Sequence, residues 1–282
     1  MTVSAGLPRF DVNLSILFTE LPLLERPRAA AEAGFTEVEL WWPFDGPTPA
    51  DAELDALERA LADAGVSLVG LNFDAGDMPG GDRGLLSRPA DSDRFRANID
   101  VAVGFAARVG CRALNALYGN RVDGLDPAVQ AELALENLAS AARAAHREGA
   151  VVLVEAVNTV ENPRYQLDSA KAAVEVVDAV NAATGLGNTR FLLDLYHLAT
   201  MGEDLPAVIA AYADRVGHVQ IADSPGRGQP GTGGLDFDDL FGRLAAAGYD
   251  GRIGLEYKPV GGPSADSFGW LPRENRSGRG NA

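Results

Sequence analysis

The chain is 282 residues long, 46% hydrophobic and 23% charged, a balance that can bury a full core and excludes disorder, collagen and coiled coil. Lys and Arg number 24 against 40 Asp and Glu, a formal net charge of −16, and that field repels phosphate backbones and anionic lipid, so neither nucleic acid nor a membrane is an expected partner. The single cysteine, Cys111, excludes an intrachain disulfide and fits a reducing compartment.

In chain order, short β-rich runs alternate with longer Ala/Leu-rich runs of helical period. DVNLSILF from Asp11 precedes a helix over Glu20–Ala33, EVELWW from Glu37 precedes Asp51–Ala64, and SLVGLNF from Ser67 precedes Asp91–Val109. RALNALY from Arg112 leads to Asp126–Glu148, and VVLVEAV from Val151 leads to Asp168–Ala183. RFLLDLY from Arg190 leads to Glu203–Asp214, VGHVQIA from Val216 to Asp236–Ala247, and RIGLEY from Arg252 closes the series. Several helices open on an Asp suited to N-capping and run into Ala-Gly or Glu-Gly just before the next strand. Eight βα units at this spacing predict α/β class, a (β/α)8 TIM barrel filling residues 1–270 as one catalytic domain. A doubly wound open sheet is the alternative and needs a switch in strand order. The tail Leu271–Ala282, with three Arg, is expected to fray or to lie on a neighbouring copy in a homo-oligomer. Nowhere do 18 uncharged apolar residues stand together, and Met1–Phe10 has no cationic start followed by an apolar run, so a soluble cytoplasmic protein is expected.

Four polar residues stand at the C-terminal ends of strands five to eight: Glu155, Asp194, Gln220 and Glu256. Each follows an apolar run, where a carboxylate is costly unless paired, hydrogen-bonded or bound to a cation. Strand parity lets all four point at the barrel axis. Three carboxylates and an amide oxygen make a hard site suited to Mg2+ or Mn2+; salt bridges with Arg or Lys are the simpler alternative. His197 follows Asp194 by three, in the loop above the strand. His218 reads as a hydrogen-bonded core residue one layer down, and His146 as solvent-facing. Asn13, Asn72 and Asn115 near the ends of strands one, three and four suit hydroxyl or carbonyl recognition, or close turns. Glu39 can also face inward, with no role assigned.

Two Gly/Pro-rich loops are too long for plain connections and rise on the face where barrel active sites are built. SPGRGQPGTGG carries Arg227 among five glycines, with Asp236 opening the next helix, and is expected to bind an anion through backbone N–H groups aided by Arg227 and Lys258. DAGDMPGGDRG is a lid or a wall. Its Arg83 is a second candidate for a substrate anion, unless Asp82 or Asp77 pairs with it.

These segments together resemble the hydroxypyruvate isomerase family within the xylose-isomerase-like barrels. FDVNLSILFTELP, AGFTEVELWWPFD, AGDMPGGDRG, VEAVN, DLYHL, GHVQIADSPGRGQPGTGGLDF and LEYKP match in order along nearly the whole chain. The resemblance implies two catalytic glutamates, Glu155 and Glu256, flanking a divalent cation also touched by Asp194 and Gln220. It places His197 on the substrate. The implied reaction moves a proton of a small anionic sugar acid through an enediolate, with no nucleotide cofactor. Departures fall on the pocket wall: Leu71-Asn72 stands where the family carries His-Asn, Glu155-Ala156-Val157-Asn158 where it carries Glu-Pro-Ile-Asn, and Gln166 at a later His position. A 2-oxotetronate isomerase and a ketose 3-epimerase use related chemistry. A phosphodiesterase acting on abasic DNA uses the same barrel but needs more His and a basic face.

Overall fold

A computed structural model describes residues 8–277. The β-rich runs form β1 (Arg9–Asn13), β2 (Glu37–Leu40), β3 (Ser67–Asn72), β4 (Ala113–Asn115), β5 (Val151–Glu155), β6 (Thr189–Asp194), β7 (Val216–Ile221) and β8 (Arg252–Leu255). They pair in sequence order, all parallel, and β8 returns to β1, so the sheet closes and no switch in strand order occurs. Both faces of each strand are covered. Val12, Val38, Val152, Val154, Leu193, Val219 and Leu255 are wholly buried, the pattern a helix-wrapped parallel sheet requires.

The helices are α1 (Arg26–Glu32), α2 (Asp51–Ala64), α3 (Ser92–Val109), α4 (Pro127–Arg147), α5 (Ala170–Thr184), α6 (Leu195–Thr200), α7 (Leu205–Tyr212) and α8 (Phe237–Ala246). Asp126, Asp204 and Asp236 cap α4, α7 and α8, accepting from Ala128, Ala207 and Asp239 N–H groups. Ser169, rather than Asp168, caps α5. Gly65, Gly110 and Gly185 end α2, α3 and α5 in the left-handed conformation that costs glycine nothing. No helix among the described residues is long and apolar enough to cross a membrane.

One expectation needs correction. The first helix is shorter than Glu20–Ala33, because Pro22 precedes a 3-10 turn at Leu23–Glu25 and Pro27 sets the first turn of α1. After β8 the described chain forms two 3-10 turns, Ser264–Phe268 and Arg273–Asn275. In the stretch Leu271–Ser277, Arg276 ties the chain back to the barrel. Arg276 donates to the carbonyls of Ala33 (2.7 Å), Phe268 (2.9 Å) and Leu271 (3.0 Å), with its guanidinium over the Phe35 and Phe268 rings. Residues 278–282 of the expected tail lie outside the described residues.

Candidate active site

Register sets the polar residues side by side at the C-terminal rim. Asn13 pairs with Glu39, Asn72 with Asn115, and Asp194 with Gln220 as neighbours on adjacent strands. Glu155 ends β5, and Glu256 follows β8 immediately. A cavity of about 530 Å³ opens above them, lined by Glu155, Glu256, His197, Arg227 and Lys258, with Asn72 and Arg83 on one side and Trp41 and Trp42 on another. The residues singled out in the sequence therefore share one end of the barrel.

Glu256 is the most heavily coordinated of them. Its Oε1 accepts from Asn13 Nδ2 (2.9 Å), Trp41 Nε1 (2.8 Å) and Gln220 Nε2 (3.3 Å), and Arg227 donates to Oε2. Burial raises its pKa to about 7 against the pull of Arg227. Glu155, buried and accepting from Asn115 Nδ2 at 2.8 Å, is held well above the carboxylate range by burial and then by the charges of Glu256 and Asp194. Burial also lifts Asp194, to about 6, opposed by Arg227 and by the backbone N–H groups of His197 and Tyr196. The simpler alternative, plain salt bridging, holds only for Glu256. Glu155 and Asp194 have no Arg or Lys ion-pair partner among the described residues.

His197 lies inside the short helix α6, where a loop was expected. Asp194 caps that helix, its Oδ1 accepting from His197 N–H at 3.0 Å. Six residues are too few for periodicity to reveal a helix. Asn158 donates to His197 Nδ1 from its backbone N–H (3.3 Å) and from its amide (2.7 Å), so Nδ1 is an acceptor and Nε2 carries the ring proton. Burial, with Arg227 nearby, keeps the imidazole neutral by pushing its pKa well below the usual value. Nε2 then faces Glu155 at 3.7 Å and Asp194 at 3.8 Å. His218 packs one layer down, on Glu39 at 2.8 Å, and His146 is exposed, both as expected.

The two long loops are held in different ways. In the loop after β7, buried Asp223 accepts the N–H groups of Gly231 (2.8 Å), Gly233 (2.8 Å) and Leu235 (3.1 Å). Those donors are consumed within the loop, and it is the cationic side chains Arg227 and Lys258 that line the cavity. The same ties fix Arg227, whose carbonyl accepts from Lys258 N–H at 2.7 Å. Asp223→Ala would strand three N–H groups at about 1–3 kcal/mol each. We expect a fall in Tm of roughly 5–15 °C and a matching loss of activity, read by calorimetry and initial rates, with Asp223→Asn less affected.

The loop after β3 is a wall. Asp74 takes two hydrogen bonds from Arg94 (2.6 and 3.0 Å), and Gly84 at φ +106° sits so close to the Leu117 carbonyl that a Cβ would lie 1.9 Å from it. Arg83 pairs with neither Asp77 nor Asp82 side chain. It donates to the carbonyls of Met78 and Asp82 and to Asn162 Oδ1 while lining the cavity.

The donor set fits a divalent cation. Buried Glu155 and Asp194 both lie within 4 Å of His197 Nε2, and buried Gln220 Oε1 has no partner, an oxygen-rich arrangement of two carboxylates and an amide oxygen that a hard cation would satisfy. Sequence reasoning missed Trp41, which read as part of an apolar strand, and Asn158, which orients His197. The indole N–H of Trp41 was the available signal, since a buried Trp needs an acceptor.

Known proteins share this arrangement's scaffold. A family model described as xylose isomerase-like TIM barrel matches residues 27–274. A Streptomyces coelicolor protein bearing the name hydroxypyruvate isomerase is 69% identical over 96% of this chain and 98% of its own length. A 2-oxo-tetronate isomerase of Cupriavidus necator is 36% identical over 94% and 98%. Among solved structures, one titled AP endonuclease, family 2, from Brucella melitensis superposes with a TM-score of 0.84 at 37% identity, covering 94% of this chain and 98% of that one. By fold, family match and full-length relatives, the chain belongs to the xylose isomerase-like TIM barrel family and is an isomerase of it.

Proposed function

We propose that the enzyme interconverts hydroxypyruvate and tartronate semialdehyde (2-hydroxy-3-oxopropanoate), shifting a proton between C3 and C2 through an enediolate. The observation that carries this reading is the pair of buried glutamates, Glu155 and Glu256, which come from strands three apart in the barrel and line one cavity. Proton transfer at carbon needs one carboxylate to accept and one carboxylic acid to donate. With Glu256 raised to about 7 and Glu155 well above its usual range, the pair retains a proton near neutrality.

One glutamate removes a C3 proton and the other delivers a proton to C2, while the hydroxyl proton on O3 is replaced by one on O2. Product and substrate are isomers, so no redox cofactor is consumed. Arg227 and Lys258 hold the substrate carboxylate, with Arg83 at the opposite wall. His197 Nε2–H and Asn72 offer hydrogen bonds to its oxygens, while Asn115, which does not line the cavity, donates to Glu155 at 2.8 Å. Trp41, Leu117 and Val157 shed water from the reacting carbons. Mg2+ or Mn2+, held by Glu155, Asp194, Gln220 and Glu256, would supply stabilisation of the negative charge developing on O2 and O3.

A second substrate of the same chemistry, a four-carbon 2-oxotetronate, is supported by the name the Cupriavidus relative carries. A phosphodiester substrate, as the Brucella title would suggest, is disfavoured by the charge of −16. The same reading gives a cytoplasmic enzyme with a small anionic sugar acid as partner, neither nucleic acid nor membrane, and a homo-oligomer as its assembled form. Proton NMR in D2O with hydroxypyruvate and its four-carbon analogue, with Mg2+ or Mn2+ and again with chelator, tests it. Conversion with one solvent deuteron entering carbon is the expected result; inertness of both substrates under every condition overturns it.

A further inference from the structure

Glu39 has no place in the chemistry above, yet the barrel is built around it. Its carboxylate is buried at 3% exposure on β2, beneath the cavity floor. Oε1 accepts from Gln220 Nε2 at 2.7 Å and from Asn13 Nδ2 at 3.0 Å, and Oε2 accepts from His218 Nε2 at 2.8 Å. Space for it comes from glycines on two other strands. A Cβ on Gly254 would lie 2.8 Å from Oε1 and 3.0 Å from Oε2, and one on Gly70 would lie 3.1 Å from the Glu39 Cβ and 3.2 Å from Oε2.

Glu39 Oε1 accepts from both amides, so each turns its NH2 group toward Glu39. For Asn13 the orientation has an independent check, since its Oδ1 accepts from Ser15 N–H at 2.9 Å. For Gln220 the consequence is that Oε1 is turned away from Glu39 and left without a partner. The same two NH2 groups also donate to Glu256 Oε1, at 2.9 and 3.3 Å. We propose that Glu39 is a positioning residue, fixing the Asn13 and Gln220 amides so that their donors bear on one oxygen of Glu256 and the Gln220 carbonyl oxygen stays free for a ligand. The inference rests on the reading of Glu256 and Gln220 given above.

Glu39→Gln tests it, because a neutral amide of the same shape no longer dictates which way its neighbours face. We expect kcat to fall at least tenfold with KM within twofold of the parent. The side-chain amide protons of Gln220, assigned with Gln220→Met, should exchange with D2O slowly in the parent and at least tenfold faster in the variant. Gly254→Ala, which displaces the carboxylate and leaves its charge, should give the same pair of changes, and decides the matter should Glu39→Gln not fold. Unchanged Gln220 exchange in a folded variant overturns the proposal whatever the rate does. A parent inert toward both sugar acids would instead sink the functional reading and leave the exchange test standing.

Discussion

Replacing Glu155 or Glu256 by Gln is expected to lower kcat by about 10²–10⁴-fold, the range over which a positioned acid or base contributes. Neither loss should come from unfolding. Glu155 accepts one hydrogen bond from Asn115, which a glutamine oxygen can still take, and the substitution relieves a buried carboxyl of the repulsion of Glu256 and Asp194. For Glu256 the sign can be worked out. Its folded pKa of about 7 lies above the ordinary 4.5, so its contribution to parent stability is present below 4.5 and is lost as pH rises through about 7. In metal-free buffer, the gap in Tm between Glu256→Gln and the parent should therefore move in the variant's favour from pH 4.5 to 7. Kinetics at neutral pH and calorimetry across that window read both effects; near-parental turnover by either variant would remove the proton-transfer scheme.

Arg227→Met carries the second large effect. Arg227 donates to the Glu256 carboxylate and at 3.3 Å to its carbonyl, lies over the Tyr196 ring at 5.3 Å, and acts on Asp194 and Glu155 as well. Its loss leaves three buried carboxylates without their shared cation, a change comparable to breaking a buried ion pair at about 3–5 kcal/mol. We expect kcat/KM to fall by roughly 10²–10³-fold, with KM for the sugar acid bearing part of it. Whichever limb of the pH–rate profile Glu256 governs should move to higher pH. Arg227→Lys should recover little, because a point charge cannot reproduce the planar contacts. A KM and pH profile matching the parent's would show that the carboxylates do not depend on this guanidinium.

The barrel was legible because each strand is a short apolar run closed by a polar residue and most helices carry their own cap, as at Asp126, Asp204 and Asp236. The rim residues were legible because alternation along a strand fixes which way Glu155, Asp194 and Gln220 point. Hydrogen-bond destinations were not. Five glycines in the loop after β7 look like free N–H donors until Asp223 is seen to claim those of Gly231 and Gly233, together with the N–H of Leu235. Glu39 was silent for a related reason. Its partners His218 and Gln220 lie 179 and 181 residues away in sequence, and only barrel closure brings them to it.

The stapled wall after β3 bears on which molecules the enzyme will accept. Asp74 clasped by Arg94, and Gly84 pressed on the Leu117 carbonyl, leave that side no slack to fold down over a short guest. On the function proposed above, selection would then fall to the anchor at one end of the sugar acid and to the reacting carbons beside it. An enzyme so made should be exacting about the carboxylate and its neighbouring oxygens but tolerant of extra length beyond them, a starting point from which specificity for longer chains can evolve by altering the outer lining alone.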